Sequence, residues 1–311
     1  MKNLDIVKFL DCTDKGGMER GKSMVIRFNV DMRKFTSFKI GGPADVFVDV
    51  RNMKEFKRVV KFACWQRVPL FVLGRGTNIL VKDKGIRSIV VRLKEEFEKL
   101  SFSGLRVRAG AGSLLNKLLM ESSKRGLAGL ECLVGIPGTV GGACLINAGT
   151  KDGEIGDRIL KVTCLTKKGN IKKINKEDMR FSYRYTSLPG QDLIITEVEL
   201  KLDKDRKENC EQRIRSYMNK RKQSQPLSFP NAGCIFKNPE SGLSAGALIE
   251  KAGLKGKRIG DVEVSTIHAN FIINRGKGTA EEVLKLIDLI KNRVMEKFQV
   301  RLKEEITIVG E

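Results

Sequence analysis

Two glycine-rich segments are the part of this sequence whose residue types and spacing most directly suggest chemistry. The first, Gly74-Arg75-Gly76-Thr77-Asn78, follows the apolar run Leu70–Leu73, and the second extends from Gly135 to Ala143. Because glycine has no Cβ, its backbone N–H group can approach phosphate oxygens closely. Neither segment has the G-x-G-x-x-G spacing of dinucleotide-binding loops, and the sequence has no G-x-x-x-x-G-K-[ST] phosphate loop. The first segment alone fits a structural turn, whereas the pair fits a large ligand with a pyrophosphate in its middle.

Chemistry based on clusters of histidine or cysteine is excluded by the composition. The chain has a single histidine, His268, so a multi-histidine metal site is not possible. Its seven cysteines are an odd number with no C-x-x-C pair, which indicates neither a disulfide framework nor a zinc site and predicts a reducing compartment. We therefore expect no metal. The cysteines are Cys12, Cys64, Cys132, Cys144, Cys164, Cys210 and Cys234.

The charge of the chain indicates anionic partners without identifying them. The 311 residues are 41% hydrophobic and 31% charged, which is typical of a globular protein of about two domains, and they carry a formal net charge of +22. The excess is nearly as dense in residues 201–311 as in residues 1–200, so no basic arm carries it. A dispersed excess favours a solvated surface with anion-binding clefts over a dedicated nucleic-acid-binding surface.

The sequence has no feature that would direct it to or through a membrane. Acidic and basic residues interrupt the first thirty positions, and no apolar stretch approaches the roughly 20 residues that span a bilayer. We expect a cytoplasmic protein.

The patterning of apolar residues predicts an α+β fold with elements that position the two glycine segments. Helical spacing predicts an amphipathic helix over 53–66, and short apolar runs predict strands at 46–50, 70–73 and 88–92. Ser113 is expected to be the N-cap of a helix that ends at Gly126. Residues 161–165 and 171–174 flank Lys167-Lys168-Gly169-Asn170 and predict a hairpin.

The C-terminal part predicts a compact α+β module. The expected elements are a helix over 244–252, a strand over 271–274, a helix over 279–298 whose Thr279 and Glu282 fit a capping box, and a strand over 302–309. A polar segment of helical composition from Lys204 to Gln225 predicts the domain boundary. We expect an N-terminal lead at 1–34, a two-part domain at 35–203 (35–94 and 95–203) and a second domain at 204–311.

Blocks of residues that occur in order along most of the chain resemble a known family. Ser37–Asp45 and the two glycine segments resemble the FAD-binding domain of the vanillyl-alcohol oxidase/p-cresol methylhydroxylase superfamily. Later blocks resemble the shorter branch of the UDP-N-acetylenolpyruvoylglucosamine reductase family. These later blocks are Phe181-Ser182-Tyr183-Arg184, Asn231–Pro239, His268-Ala269-Asn270-Phe271 and Glu305–Gly310.

The resemblance implies a fold, a reaction and a cofactor. The fold would be a two-part FAD-binding domain followed by a compact α+β substrate-binding domain. The reaction would be the NADPH-dependent reduction of UDP-N-acetylglucosamine enolpyruvate to UDP-N-acetylmuramate in peptidoglycan synthesis, with non-covalent FAD and with NADPH as co-substrate. The cofactor-binding residues that the resemblance implies are Gly74, Arg75, Gly76, Thr77, Asn78, Ile79, Gly135, Pro137, Gly138, Thr139, Gly141, Gly142, Ala143 and Asn147.

Three residues match the family's catalytic positions. Arg184 would bind the substrate carboxylate, since a guanidinium is always charged and can bind a carboxylate with two hydrogen bonds. Cys234 stands where family members commonly have a serine that protonates the substrate α-carbon; by itself such a cysteine is more often a buried small residue. Glu305, with Glu304 as the fallback, would orient Arg184 or assist proton delivery. By composition alone these two glutamates would be a solvated acidic pair.

The resemblance also implies substrate-binding residues, namely Asn231, Lys237, Asn238 and His268. On composition alone His268 is better interpreted as a core histidine with its hydrogen bonds satisfied. We expect a UDP-sugar substrate and NADPH as partners, with no nucleic acid and no membrane, and a monomeric enzyme.

Two other functions remain open at this point. A basic nucleic-acid-binding protein would account for the charge but not for the glycine segments, and at 6% aromatic residues the chain offers little for base stacking. An FAD-dependent oxidase of the same superfamily would share the N-terminal segments but should lack the Asn231–Pro239 and Glu305 blocks.

Overall fold

The computed structural model describes residues 24–188, 192–240 and 242–311. Most of the predicted N-terminal lead, including Cys12, lies outside the described residues. The α-helices are α1 (Met53–Trp65), α2 (Leu115–Ser123), α3 (Val140–Leu145), α4 (Lys207–Ser224), α5 (Ala245–Lys251) and α6 (Ala280–Phe298). Short 3₁₀ turns occur at Met32–Lys34, Glu95–Glu98, Glu131–Leu133, Ile155–Asp157 and Lys176–Asp178.

The strands are numbered in chain order. They are β1 (Val25–Asp31), β2 (Pro43–Val50), β3 (Leu70–Val72), β4 (Ile79–Val81), β5 (Ile86–Leu93), β6 (Leu100–Ser103), β7 (Arg106–Gly110), β8 (Leu127–Ala128), β9 (Gly149–Thr150), β10 (Gly153–Glu154), β11 (Ile159–Thr166), β12 (Ile171–Asn175), β13 (Phe181–Ser182), β14 (Tyr185–Thr186), β15 (Leu193–Lys201), β16 (Asp203–Lys204), β17 (Asn231–Cys234), β18 (Arg258–Ile259), β19 (Val262–Val264), β20 (Phe271–Asn274) and β21 (Thr307–Val309).

The chain divides into two compact units, each assembled from separate stretches of sequence. The first unit takes the described residues up to Val30 together with Asp45–Gly74 and Ser88–Met218. The second takes Asp31–Ala44, Arg75–Arg87 and Asn219–Glu311. Strands and helices alternate irregularly in both units, which confirms the predicted α+β class.

The first unit contains two sheets that share one apolar core. One is four-stranded in the order β1-β2-β5-β3, with β3 and β5 parallel, and the other is five-stranded and antiparallel in the order β12-β11-β15-β7-β6. Helix α1 starts at the N-cap Asn52, whose side chain accepts from the N–H of Glu55, and it buries Phe56, Val59 and Val60 in this core. The predicted hairpin is confirmed by the pairing of β11 with β12.

The second unit packs α5 and α6 with an antiparallel sheet in the order β17-β20-β19-β18. Its core also contains Phe38, Ile40 and Leu80, which come from the two early stretches of the chain. A separate parallel pair joins β21 to β4, with Thr307 opposite Ile79. The capping box of α6 is confirmed, since Thr279 accepts from the N–H of Glu282 and the Glu282 side chain accepts from the N–H of Thr279.

Two local predictions are wrong. Leu114, not Ser113, is the N-cap of α2; the Ser113 hydroxyl instead donates to the carbonyl of Lys99. The predicted strand over 302–309 is formed only at Thr307–Val309. Residues just before it contact the chain near Phe236 through single backbone bonds and an isolated bridge at Glu304, so no regular ladder extends along them.

Candidate functional site

The glycine segment that precedes α3 is held on the backbone of residues 111–113. The N–H of Val140 donates to Ser113 O at 2.8 Å and the N–H of Gly141 donates to Ala111 O at 2.9 Å. The Thr139 hydroxyl accepts from the N–H of Gly142 as the N-cap of α3. Within the part of the chain that the structure describes, the N–H groups of Gly138 and Thr139 have no acceptor. Two successive donors therefore remain available at this turn.

The glycines of this segment are required by close packing as well as by turn geometry. A Cβ on Gly141 would lie 2.7 Å from the Cβ of Ala111 and 3.0 Å from its carbonyl oxygen, and a Cβ on Gly74 would lie 2.8 Å from Thr139 Oγ1. Gly138 has a φ of +154°, a conformation that favours glycine. Gly142 is different, because a Cβ there would meet only Thr139 Oγ1, at 3.4 Å.

The first glycine segment continues into the second unit, where it packs on residues 35–37. The N–H of Ser37 donates to Gly76 O at 3.0 Å, and a Cβ on Gly76 would lie 2.2 Å from Phe35 O. Gly76 also has a φ of +62°. Among the described residues no acceptor is available to the N–H groups of Arg75 and Gly76, and the Arg75 side chain is exposed.

These observations fit the cofactor that the sequence resemblance implies. Each glycine segment has a tightly packed backbone and successive N–H groups that the described protein leaves unpaired. Such donors match the oxygen atoms of a pyrophosphate. In addition, Thr186 is buried near α3 and its hydroxyl has no hydrogen-bond partner among the described residues. A bound ligand with polar atoms is the simplest partner for a buried hydroxyl.

Arg184 lies in the turn of a tight hairpin formed by β13 and β14, in which Ser182 is paired with Tyr185. Its backbone φ is +52°, which is unusual for a residue other than glycine, and its guanidinium lies over the ring of Tyr183. Nη2 of Arg184 donates to the carbonyl oxygen of Gly149 at 3.1 Å. The turn and this hydrogen bond together fix the direction of a half-buried guanidinium.

Asn147, predicted to bind the cofactor, uses its side chain to join two neighbouring segments. Nδ2 donates to Glu154 Oε2 at 2.5 Å and to Ser182 O at 3.0 Å, while Oδ1 accepts from the N–H of Gly156 at 3.0 Å. The residue is buried and has a φ of +47°. Both of its side-chain donors are therefore engaged within the protein.

Glu154 is a residue of this region that the sequence interpretation missed. Burial raises the pKa of its carboxyl above the ordinary value, while the positive charge of Arg184 and the hydrogen bond from Asn147 act in the opposite direction. Its position between Gly153 and Gly156 follows neither a helix nor a strand period. The presence of glycines close to it on both sides in the sequence was the one signal that could have identified Glu154.

In the second unit the structure brings Asn78 and Glu305 together. Nδ2 of Asn78 donates to the carbonyl oxygen of Glu305 at 3.1 Å, and the N–H of Thr307 donates to Asn78 O at 2.9 Å. The N–H of Glu305 donates to Ile235 O at 2.7 Å, which ties the same strand start to the segment after Cys234. Asn78 and Glu305 thus lie just before the two strands of the parallel β4–β21 pair, in which Ile79 is opposite Thr307.

The carboxylate of Glu304 forms an ion pair, with Lys291 Nζ 2.9 Å from Oε1. Partial burial acts to raise the pKa of Glu304, but the hydrogen bond from Lys291 leaves that pKa below its ordinary value. The Glu304 carboxylate therefore serves to attach the end of the chain to α6.

Cys234 is the last residue of β17, is half-buried and is paired with Phe271 of β20. The described cysteines are not in disulfide bonds. Among the described residues no group of acidic, cysteine and histidine side chains is arranged to hold a metal ion.

The predicted substrate-binding residues lie around the same β17–β20 pair. Asn231 shapes the turn before Cys234: Nδ2 donates to Phe229 O at 2.8 Å and Oδ1 accepts from the N–H of Gly233 at 2.9 Å. Oδ1 of Asn238 accepts from the N–H of Ala245, at the start of α5. The N–H of Lys237 donates to Lys303 O.

His268 is half-buried beside Phe271, with ring centroids 4.9 Å apart, and its Nδ1 accepts from the N–H of Asn270 at 3.2 Å. Burial lowers the pKa of the imidazole. His268 is therefore neutral near pH 7 and has one nitrogen engaged within the chain, as a core histidine would.

The predicted site residues are distributed over both units. The first unit holds Gly74, the Gly135–Ala143 segment, Asn147 and Arg184, and the second holds Arg75–Ile79, Asn231, Cys234, Lys237, Asn238, His268 and Glu305. None of the helices in the described ranges is both long and apolar enough to cross a bilayer.

Comparison with known proteins identifies relatives along nearly the whole chain. Residues 225–309 match the UDP-N-acetylenolpyruvoylglucosamine reductase C-terminal domain, and residues 44–175 match an FAD binding domain. UDP-N-acetylenolpyruvoylglucosamine reductase 2 of Symbiobacterium thermophilum is 41% identical over 285 residues, 92% of each chain. The reductase of Alkaliphilus oremlandii is 42% identical over 280 residues, covering 90% of this chain and 92% of the relative.

A solved structure gives the same result. The crystal structure of UDP-N-acetylenolpyruvylglucosamine reductase from Thermus caldophilus is 38% identical and has a TM-score of 0.80. The match covers 92% of this chain and 99% of the other.

Proposed function

Since this chain belongs to the UDP-N-acetylenolpyruvoylglucosamine reductase family, we propose how its own residues bind the ligands and carry out the reaction of that family. The protein is an FAD-dependent oxidoreductase that uses NADPH to reduce UDP-N-acetylglucosamine enolpyruvate to UDP-N-acetylmuramate in peptidoglycan synthesis. FAD, when bound, would supply the hydride-transfer chemistry between NADPH and the β-carbon of the enolpyruvyl ether. The protein itself must hold the ligands, stabilise negative charge on the substrate and protonate its α-carbon.

The two glycine segments would hold FAD. In the first unit, the backbone N–H groups of Gly138 and Thr139 would bind pyrophosphate oxygens. In the second unit, the N–H groups of Arg75 and Gly76 are donors of the same kind. The remaining residues of the predicted cofactor set would line the same ligand. Asn147 would contribute by shaping this wall, since its side-chain donors are already engaged.

Arg184 would bind the substrate carboxylate. The observation that carries this proposal is the fixed direction of its guanidinium, set by a positive φ and the hydrogen bond to Gly149 O. As hydride reaches the β-carbon, charge spreads from the α-carbon into the carboxylate. A guanidinium already in place stabilises that charge without reorganising.

Cys234 would donate the proton to the α-carbon. A thiol has an ordinary pKa of about 8.5, so it is a much stronger acid than the hydroxyl that relatives commonly place there. The position at the end of β17, half-buried beside Phe271, supports a donor with limited access to water.

Glu305 would assist at this proton-donating end of the substrate. Support comes from its backbone: the Glu305 carbonyl oxygen accepts from Asn78 Nδ2, and its N–H donates to Ile235 O, which holds the residue beside the segment that follows Cys234. Asn231, Lys237, Asn238 and His268 would bind the rest of the substrate, with His268 acting as a neutral imidazole.

The proposal includes the domain organisation and the setting in which the enzyme works. The two family matches fall on either side of residue 204, which supports an FAD-binding domain at 35–203 and a substrate-binding domain at 204–311. We further propose a cytoplasmic monomer that binds neither nucleic acid nor membrane. Light scattering during gel filtration tests the monomeric state, and a DNA retention assay at 50 and 200 mM salt tests whether the protein binds nucleic acid.

An anaerobic experiment tests the reaction. The purified holoenzyme is reduced with NADPH, excess NADPH is removed, and UDP-N-acetylglucosamine enolpyruvate is added. Rapid reoxidation of the flavin with formation of UDP-N-acetylmuramate is the expected result. A flavin that NADPH reduces but that only oxygen reoxidises would instead identify an oxidase of the same superfamily.

A further inference from the structure

The loop that contains Glu154 and the hairpin that presents Arg184 are joined by a network of hydrogen bonds. Strand β10 pairs with β9 so that Glu154 lies opposite Gly149. Gly149 is the residue whose carbonyl oxygen accepts from Arg184. Glu154 and Arg184 therefore both contact the same two-residue strand.

Asn147 completes the network from the other side. Its Nδ2 donates both to the Glu154 carboxylate and to Ser182 O, two residues before Arg184. Its Oδ1 accepts from the N–H of Gly156, which holds the loop after Glu154. The packing is close, since a Cβ on Gly156 would lie 2.6 Å from Asn147 Oδ1 and 2.7 Å from the ring of Phe181.

We propose that Asn147 and Glu154 form a positioning pair for Arg184. Asn147 fixes the position of the hairpin that carries Arg184, and Glu154 supplies the counter-charge of the guanidinium. Glu154 touches neither the substrate nor the cofactor in this assignment. It acts on Arg184, so the inference rests on the proposed role of Arg184 in binding the substrate carboxylate.

The physical reason for such a pair is the cost of holding a charged group half-buried in a fixed direction. A guanidinium loses solvation on partial burial, and a nearby carboxylate restores part of that energy. The carboxylate is in turn fixed by Asn147, so it cannot rotate into solvent. Besides Arg184, the charged group that acts on Glu154 is Asp157, whose Oδ2 accepts from the N–H of Glu154.

The substitution Glu154→Gln removes the charge of this side chain while keeping nearly the same shape. Glutamine keeps an oxygen that can accept from Asn147, but it removes the negative charge beside Arg184. Glu177→Gln is the matched control, because Glu177 is an exposed glutamate in a 3₁₀ turn of the same unit. Both variants are purified as holoenzymes, and their melting temperatures and flavin content are compared with those of the wild type.

The two half-reactions then provide the readout. Glu154→Gln should reduce its flavin with NADPH within about twofold of the wild-type rate, whereas reoxidation by UDP-N-acetylglucosamine enolpyruvate should slow by about 10- to 100-fold, the range expected for a misplaced binding group. A role limited to holding the fold or the flavin would slow both steps. Equal rates in both half-reactions for Glu154→Gln and wild type would overturn the proposal.

A double-mutant cycle with Arg184→Ala tests whether Glu154 acts through the arginine. In the Arg184→Ala background, Glu154→Gln should cause no further slowing of reoxidation. If the two effects instead multiply, Glu154 acts independently of Arg184 and the positioning pair is rejected. If Arg184→Ala alone reoxidises at the wild-type rate, the proposed role of Arg184 fails, which is a result distinct from the failure of Glu154.

Discussion

At the scale of single residues, Cys234 stands at the position where the sequence resemblance implies a serine. Sulfur is larger than oxygen and forms weaker hydrogen bonds, but the thiol gives up its proton more readily. The β17–β20 pairing fixes the backbone position of Cys234, which lies directly opposite Phe271. In the proposed mechanism a cysteine here changes the acidity of the proton donor.

Removing the thiol should block one half-reaction and spare the other. Cys234→Ala is expected to reduce its flavin with NADPH at the wild-type rate and to slow reoxidation by the enolpyruvyl substrate about 10²- to 10⁴-fold, the usual contribution of general acid catalysis. Cys234→Ser is the matched variant and should retain turnover with a different dependence on pH. Stopped-flow absorbance of the flavin measures both steps. Wild-type reoxidation in Cys234→Ala would remove this residue from the mechanism.

The buried state of His268 predicts a dependence of stability on pH. Because burial lowers the pKa of this imidazole in the folded protein, the unfolded chain binds more protons once the pH falls below about 6.5. The free energy of unfolding should therefore decrease as the pH falls from about 6.5 toward the folded pKa. Urea denaturation at pH 7.5 and 5.5 should show a smaller decrease for His268→Gln. An equal decrease in both proteins would contradict a neutral, buried His268.

At the scale of secondary-structure elements, the start of α6 shows how far local patterning extends. The capping box of Thr279 and Glu282 was predictable because both residues lie within one helical turn. A second cap of the same helix could not be predicted. It is formed by Asp83, in the loop between β4 and β5, whose carboxylate accepts from the N–H groups of Ala280 and Glu281 at 2.9 Å each. A single sequence carries no signal for a contact between residues so distant in the chain.

The Asp83 cap should contribute measurably to stability. Asp83→Ala removes the acceptor for two N–H groups at the positive end of a 19-residue helix and is expected to lower the free energy of unfolding by about 1–2 kcal/mol. Asp288→Ala, an exposed position on the same helix, is the control and should change it by less than about 0.5 kcal/mol. Chemical denaturation of the two variants decides the question, and equal losses would argue against the cap.

The same limit explains what the sequence revealed about the candidate site. Motifs indicated Arg184, Cys234 and Glu305 because each lies in a recognisable block of neighbours. They did not indicate Glu154, whose relation to Arg184 depends on the β9–β10 pairing and on Asn147. The prediction of Ser113 as the N-cap of α2 was wrong for a related reason, since the Ser113 hydroxyl donates to Lys99, which is more distant in the chain.

At the scale of the whole molecule, the net charge of +22 acts on ligands that carry phosphates. FAD, NADPH and the UDP-sugar are all anions, so the field of the protein should speed their arrival. The coenzyme and the UDP-sugar must also dissociate after the reaction. A dispersed positive charge permits this better than a strong local cluster of positive charge would. The charge thus bears on encounter rates more than on selectivity.

The rate of NADPH association should fall with salt. Screening shortens the range of the field from about 10 Å at 0.1 M ionic strength to about 3 Å at 1 M. We expect the second-order rate constant for flavin reduction at low NADPH concentration to decrease several-fold between 50 and 500 mM KCl, with little change in the limiting rate at saturation. Stopped-flow titration measures both quantities. A second-order rate constant independent of salt would show that the charge does not guide the coenzyme.

The second unit is built from residues 31–44 and 75–87 together with 219–311. During synthesis its first two pieces leave the ribosome long before the third exists, and Phe38, Ile40 and Leu80 must wait for the apolar side chains of α5 and α6. Strand β4 likewise waits for β21, which is complete only two residues before the chain ends. Pairings of such high sequence separation form slowly. Residues 307–309 therefore complete the pairing of β4, and a ribosome that stops before them would release a chain in which β4 lacks this partner.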